Sequence, residues 1–201
     1  MSNFSLKAKE LIDAGHSLYQ MGMVPATSGN FSAKLDNGDI AITVSGAHKG
    51  RLKESDIMVI DPEGKPRDDR RPSAETGLHV QIYQHYSDAG VVLHPHAMNA
   101  VLLSQKQKDF ISLNNYELLK AFPGIDSHES TVIIPVFGND QNIPRLASLI
   151  DHYLSENQQT VAYIIEGHGF YTWGKNVDDA LRHVEALDYL FACELKSERT
   201  N

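Results

Sequence analysis

The sequence predicts an α/β fold with three layers, in which helices cover both faces of a mixed, largely antiparallel sheet. Apolar runs with strand and helix spacing are interspersed along all 201 residues. The first two predicted strands are consecutive and form a hairpin, so the chain lacks the strict strand–helix alternation of a parallel sheet. The length fits one catalytic domain, residues 1–201, with a single sizeable core.

The N-terminal third holds the hairpin that sets this fold class. Helical spacing predicts a helix over residues 4–21. Apolar and polar residues alternate over 31–35 and again over 40–44, and the Asn37-Gly38 turn between them is a strong hairpin signal. Residues 57–60 predict a third strand, which is followed by a turn and a charged surface loop.

The remainder of the chain mixes the two kinds of element. Helical spacing predicts further helices over residues 74–86, 97–103, 144–154 and 177–195. Short apolar or β-branched runs predict strands over residues 91–93, 131–136 and 160–165. We expect polar, irregular structure over residues 104–115 and a short helical segment over 116–122.

Composition excludes several function classes. The net charge of −8 argues against a nucleic-acid or anionic-membrane binder. The single cysteine, Cys193, excludes an intrachain disulfide and a Cys-rich zinc module. The first residues lack the apolar segment of a signal peptide, and no apolar run approaches membrane length, so we expect a cytoplasmic protein. Ten histidines in this length make metal ligation by nitrogen worth testing.

Three histidines follow apolar strands. His94 and His96 lie at alternate positions of an extended segment, so their side chains face the same way. His168 lies between two glycines at the end of another predicted strand. If both strands belong to one sheet, these imidazoles can meet and leave a fourth position open, as in catalytic zinc sites. The alternative is that each histidine closes its strand and bonds to backbone.

Three small polar loops indicate an anion site. They are Ser28–Asn30, Ser45–Gly46 and Pro72–Glu75, whose short side chains leave backbone N–H groups free to face an anion. A basic segment, residues 48–53, lies beside the second loop. Together these features predict a phosphate pocket, although each loop alone is typical of an ordinary turn.

Two carboxylates are candidates for proton transfer, Glu75 and Glu117. Lys120 follows Glu117 by one helical turn and shares its face. The alternative is that both carboxylates are solvated charges on helix surfaces. Six further histidines lack a converging partner in sequence and are interpreted as surface or structural residues: His16, His79, His85, His128, His152 and His183.

The order of these motifs resembles that of the class II aldolase/adducin family. The matching pieces are Thr27–Asn30, Val44–Gly46, Pro72–Glu75, His94–His96, Glu166–Gly169 and the segment from Asp179 onward. The resemblance implies one zinc ion per subunit, held by His94, His96 and His168. It implies a sugar-phosphate substrate whose phosphate is bound by Gly29, Asn30, Ser45, Gly46 and Ser73. It also implies symmetric homotetramers with sites between subunits.

Within that family, the segment Asn114–Ala121 resembles the dehydratases. The resemblance implies that Glu117 is the catalytic acid/base and that Lys120 lies near the phosphate. Glu75 occupies the position where the aldolases carry a catalytic carboxylate that can also touch the metal, so it is a second candidate. The implied enzyme is a zinc-dependent hydro-lyase that acts on a methylthio-substituted ketose phosphate of methionine salvage.

Two other functions remain compatible with the sequence. The first is an aldolase or pentulose-phosphate epimerase on the same scaffold, for which Glu75 would be essential and Glu117 dispensable. The second is a non-catalytic, adducin-like interaction module. Metal content separates the second from the enzymes, because an interaction module has no need of three metal ligands and an acid.

Overall fold

The computed structural model describes residues 3–197 and contains one mixed sheet between two layers of helices. The strands are β1 Asn30–Lys34, β2 Ile40–Thr43, β3 Ile57–Ile60, β4 Val91–His94, β5 Phe110–Asn114, β6 Thr131–Phe137, β7 Ala162–Ile165 and β8 Gly169–Gly174. The helices are α1 Asn3–Gln20, α2 Thr76–His85, α3 Met98–Lys106, α4 Ile143–Glu156 and α5 Val177–Ser197. Among these residues, no helix is both long and apolar enough to cross a membrane.

The sheet has the strand order β3-β2-β1-β4-β8-β7-β6-β5. Strands β6 and β7 pair in parallel, and all other neighbours in this order pair antiparallel. The predicted hairpin of β1 and β2 is present, with Ala33 opposite Ala41. The predicted mixed, largely antiparallel sheet is therefore confirmed.

Alternation along the strands divides the apolar core between the two faces of the sheet. In β4, Val91 and Leu93 pack into the cluster that includes α1, α3 and α5, whereas Val92 packs into the cluster that includes α2 and α4. Side chains of successive strand residues point to opposite faces, so a central strand that is buried on both sides reads as an unbroken apolar run. This pattern confirms the three-layer arrangement.

The sheet brings the ends of two distant strands together. Strands β4 and β7 both pair antiparallel with β8, so they run in the same direction and end at the same edge. His94 is the last residue of β4, and His168 lies in the turn that joins β7 to β8. At the same edge, the first residue of β1, Asn30, is opposite His94.

One prediction about the elements was wrong, and one strand was missed. Residues 104–115 are not irregular throughout, because strand β5 occupies residues 110–114 at the edge of the sheet. Only Ile111 and Leu113 of this strand are buried, and its other residues are polar or exposed. Strand β8 was not predicted, because its Gly-Phe-Tyr-Thr-Trp-Gly sequence, buried on both faces, has no alternation. The predicted short helical segment over 116–122 is present as a 3-10 helix, Glu117–Ala121.

Candidate metal and phosphate site

Three histidines converge at the shared edge of β4, β7 and β8. The Nε2 atom of His94 lies 3.0 Å from Nε2 of His96 and 3.4 Å from Nε2 of His168. Tight backbone packing makes this possible, because a side chain at Gly169 would collide with the carbonyl of Pro95 and the Cα of His96. The predicted convergence of these three side chains is present in the structure.

Burial keeps two of these imidazoles, those of His94 and His96, neutral. It lowers the pKa of His94 well below its usual value, and the neighbouring histidines add to this effect. Burial also lowers the pKa of His96 to about 3. His94 donates its Nδ1 proton to the carbonyl of Phe170 at 2.8 Å, so its Nε2 lone pair faces the other two rings. The ring of His94 stacks on Tyr171 at 3.9 Å, which fixes its orientation.

This donor set fits a divalent cation. A tetrahedral ion bound to imidazole nitrogens at about 2.0–2.1 Å would hold those nitrogens roughly 3.3 Å apart. The two Nε2 separations of 3.0 and 3.4 Å from His94 are close to that spacing. Burial favours the neutral form of His94 and His96, which is the form that a metal requires. His94, His96 and His168 can therefore hold a metal ion.

Glu75 lies beside the three histidines. Its Oε1 atom is 3.3 Å from Nε2 of His168, and its Oε2 atom is 3.6 Å from Nε2 of His94. Asn30 donates its side-chain N–H to the same carboxylate at 2.8 Å. Glu75 can accordingly touch a metal held by the histidines or accept a proton from a group bound there.

A buried hydrogen-bond chain fixes the amide of Asn30. Because its Nδ2 donates to Glu75, its Oδ1 accepts from Nε2 of His79. The Nδ1 atom of His79 then accepts from the hydroxyl of Ser32 at 2.8 Å, which itself accepts from the hydroxyl of Tyr83 at 2.8 Å. His79 was interpreted as a surface or structural residue; it is fully buried and orients a group that holds Glu75.

Replacing His79 by phenylalanine should destabilise the protein. Phenylalanine retains a planar ring, slightly larger than imidazole, but Asn30 and Ser32 each lose a buried hydrogen-bond partner. We expect the free energy of unfolding to fall by about 1–3 kcal/mol, measured by urea denaturation of the metal-free protein. The control His152→Phe, whose side chain is 76% exposed, should stay within about 0.5 kcal/mol of wild type. A His79→Phe variant as stable as this control would contradict the assignment.

His79 should also make stability depend on pH. Burial lowers its pKa to about 3, so below the ordinary value of about 6.5 the unfolded chain binds a proton that the native state does not. Its stabilising effect is therefore lost progressively as the pH falls from about 6.5 toward 3. Between pH 6 and 5, we expect the wild-type unfolding free energy to fall more steeply than that of His79→Phe, by about 1 kcal/mol per pH unit. Parallel slopes would count against a neutral, buried His79.

The three polar loops line one cavity of about 380 Å³ beside the histidines. Its lining includes the predicted phosphate residues Gly29, Asn30, Ser45, Gly46 and Ser73. A bridge between Val44 and Pro72 holds the second and third loops together. Gly29 has φ +75°, and a side chain there would lie 2.6 Å from the carbonyl of His94, so the first loop packs directly on β4.

Lys49 also lines this cavity, and its side chain is buried. The residue is 2% exposed. Its ammonium donates to the backbone carbonyl of Thr27 at 3.0 Å and to that of Ala47 at 2.6 Å. Burial lowers the pKa of Lys49 to about 8, so the group is still mostly charged at neutral pH. The sequence placed Lys49 in a basic segment but gave no sign that it is buried.

Glu117 and Lys120 lie elsewhere in the single chain. The Glu117 side chain is 75% exposed and pairs with Nζ of Lys120 at 2.7 Å. This hydrogen bond lowers the pKa of Glu117. Neither residue is among those that line the histidine cavity; Lys120 lines a separate groove that also includes Phe122 and Trp173. The chain alone brings Glu75, but not Glu117, to the histidines.

The cavity has a further wall that no sequence pattern predicts. Asn139, Asp140 and Gln141, from the loop before α4, complete its lining. Arg145 pairs with Asp140 and lowers the pKa of that carboxyl. No motif distinguishes this loop, so only the folded chain identifies it.

Comparisons with known proteins agree with this arrangement. Residues 9–195 match the family profile described as Class II Aldolase and Adducin N-terminal domain. A protein of Methylococcus capsulatus named methylthioribulose-1-phosphate dehydratase is 56% identical over 195 residues, which is 97% of this chain and 96% of that protein. A protein of Hahella chejuensis with the same name is 46% identical over 202 residues, covering 99% of this chain and 97% of that protein.

Solved structures show the same fold. An L-fuculose 1-phosphate aldolase superposes with a TM-score of 0.82 at 23% identity, covering 98% of this chain and 88% of that one. The L-fuculose-1-phosphate aldolase of Thermus thermophilus gives a TM-score of 0.77 at 22% identity, covering 97% of this chain and 96% of that one. At these identities, the likeness concerns the architecture alone.

Proposed function

Since this chain belongs to the class II aldolase and adducin family, we propose that it removes water from 5-methylthioribulose 1-phosphate. The product would be 2,3-diketo-5-methylthiopentyl 1-phosphate, a compound of methionine salvage. The observation that carries this proposal is the 56% identity, over 97% of the chain, to a relative named for that dehydratase activity. The test is formation of the diketone phosphate, followed by NMR with metal-loaded protein.

The metal in this proposal is zinc, with one ion per subunit held by His94, His96 and His168. Three neutral imidazoles with a fourth position open are the ligand set of catalytic zinc. When bound, the ion would supply Lewis-acid polarisation of the substrate carbonyl at C2. The hydrogen bond from Nδ1 of His94 to the carbonyl of Phe170 would hold the His94 ring with its Nε2 atom toward the ion.

Phosphate binding is assigned to the three loops around the cavity. Backbone N–H groups at Gly29 and Gly46 and the hydroxyls of Ser45 and Ser73 would bind the phosphate. Asn30 takes part chiefly through Glu75, to which its amide N–H is already donated. Anchoring the phosphate away from the reacting carbons would hold C3 and C4 in place for proton transfer.

The proton-transfer step is assigned to Glu117, with Glu75 as the second candidate. Glu117 would take the proton from C3 and return one to the departing hydroxyl at C4. Because Glu117 is 75% exposed and lies outside the cavity of its own chain, this role requires a site between subunits. We therefore propose a homotetramer in which Glu117 and Lys120 of one subunit reach the cavity of a neighbour, with Lys120 near the phosphate.

The position of Glu75 favours one competing function. Its carboxylate lies 3.3 Å from Nε2 of His168, where it could act as the sole acid/base without help from a neighbour. An aldolase or pentulose-phosphate epimerase on this scaffold would work that way. The competing enzyme predicts cleavage or epimerisation of a ketose phosphate, with activity that depends on Glu75 and not on Glu117.

The metal content of the purified protein should distinguish the proposed enzymes from a non-catalytic interaction module. We expect purified protein to carry close to one divalent cation per chain, measured by mass spectrometry of the metal. Chelation should abolish dehydration, and added zinc should restore it. Protein that is purified free of metal and gains no activity with zinc would support the adducin-like module instead.

We further propose that residues 1–201 form one catalytic domain acting in the cytoplasm.

A further inference from the structure

One buried cation, Lys49, has no role in the reaction as assigned so far. It is the only lysine or arginine among the described residues that line the histidine cavity. The other cation assigned to the phosphate, Lys120, is 44% exposed and lies in a different groove of its own chain. A buried ammonium is costly unless it is paired or hydrogen-bonded, so its place here calls for an explanation.

The partners of Lys49 connect two of the three phosphate loops. The carbonyl of Thr27 precedes the Ser28–Asn30 loop, and the carbonyl of Ala47 follows the Ser45–Gly46 loop. The ammonium therefore lies between these two loops, at the wall of the cavity that both of them line. Its ammonium also helps to lower the pKa of His96, one of the candidate metal ligands.

The charge of Lys49 is not balanced within the described part of the chain. No carboxylate there forms an ion pair with it, and its two acceptors are neutral carbonyls. An ammonium has three protons to donate, so one donor is left for a ligand. A charged donor at the wall of a polar cavity, next to loops with free N–H groups, is suited to an anion such as a phosphate.

We propose that Lys49 binds the substrate phosphate directly and supplies the positive charge of that site. This proposal rests on the proposed function only in that the substrate carries a phosphate. Lys49 would hold the two loops at the right separation through their carbonyls, and its remaining proton would contact a phosphate oxygen. The phosphate is the same in substrate and product, so this contact would contribute to binding throughout the reaction.

Binding of inorganic phosphate to the metal-loaded protein tests the proposal. Lys49→Met removes charge and hydrogen bonds, whereas Lys49→Gln removes the charge but keeps N–H donors for the carbonyls. By titration calorimetry, we expect both variants to raise the Kd for phosphate roughly 10- to 100-fold, the range for a lost charged hydrogen bond. The control Arg51→Gln removes an exposed cation of the same basic segment and should change the Kd less than about threefold.

The Lys49→Gln variant distinguishes two roles of Lys49. Its positive charge could bind the phosphate, or its side chain could only join the two loops through hydrogen bonds. Wild-type phosphate affinity in Lys49→Gln would show that the side chain only joins the two loops, and would overturn the proposal. Kinetics give a second readout: KM for the phosphorylated substrate should rise by a larger factor than kcat falls, because the lost contact contributes mainly to binding. A fall in kcat with an unchanged KM would also contradict a phosphate contact.

Two further measurements keep the test decisive. If neither uncharged variant folds, the 15N resonance of the Lys49 ammonium can be followed in wild-type protein, with Lys49→Arg used to assign it. This resonance should shift when phosphate is added. No shift at saturating phosphate would overturn the proposal. The outcome is also separable from the proposed reaction. Wild-type protein that binds inorganic phosphate but does not dehydrate methylthioribulose phosphate would refute the reaction and leave the Lys49 test intact.

Discussion

The His168→Ala variant should lose its metal and, with it, at least about a thousandfold in kcat/KM. His168 supplies one of three nitrogens that converge on a single point, and its side chain is 22% exposed in a turn, so its removal opens no core cavity. One of the three imidazole ligands would then be missing, which weakens the binding of a divalent ion. Loss of a Lewis acid worth several kcal/mol corresponds to a rate loss of this size.

The matched control is His152→Ala, on the exposed face of α4 and outside the site. It should keep both its metal and its full activity. The two variants should have similar melting temperatures once each is freed of metal. An active His168→Ala enzyme with a full complement of metal would show that His168 is not a ligand, whatever the apparent geometry.

The Glu117→Gln variant should lose about 100- to 10,000-fold in kcat, the usual contribution of a general acid/base. Glutamine keeps the size of the side chain but cannot take the proton from C3, so metal content and phosphate affinity should remain at wild-type levels. Activity is measured on methylthioribulose phosphate beside Glu75→Gln. Full activity of Glu117→Gln, with Glu75→Gln inactive, would transfer the role to Glu75 and favour the competing aldolase or epimerase.

Coexpression tests whether Glu117 acts across a subunit boundary. His168→Ala chains carry an intact Glu117, and Glu117→Gln chains carry intact metal ligands. If each site takes its histidines from one chain and Glu117 from a neighbour, random mixing restores about a quarter of the wild-type sites. Two inactive variants that stay inactive in mixed tetramers would indicate that each chain supplies both groups.

The convergence of the three histidines could be predicted from sequence because strand geometry determines side-chain direction. His94 and His96 are two residues apart on an extended segment, and that spacing alone puts them on one face. The position of His168 needed one assumption, that β4 and β7 belong to the same sheet. That assumption holds, since both strands pair with β8.

Other parts of the site depend on tertiary contacts that no local pattern records. Lys49 lies in a segment rich in cations, for which an exposed surface is the usual outcome, and only packing of the loops buries it. His79 follows Glu75 by one helical turn, a spacing that could have suggested a shared site. The proposed role of Glu117 depends on contacts between subunits, which a single chain does not contain. Strand β5 was missed because only two of its residues are buried.

The product that the zinc-loaded protein forms decides whether the proposed reaction is right. Methylthioribulose 1-phosphate, fuculose 1-phosphate and ribulose 5-phosphate would be supplied separately and the products identified by NMR. We expect loss of water from the methylthio sugar phosphate to give the diketone, with little or no change in the other two. Cleavage of fuculose phosphate or epimerisation of ribulose phosphate, with the methylthio substrate left intact, would contradict it.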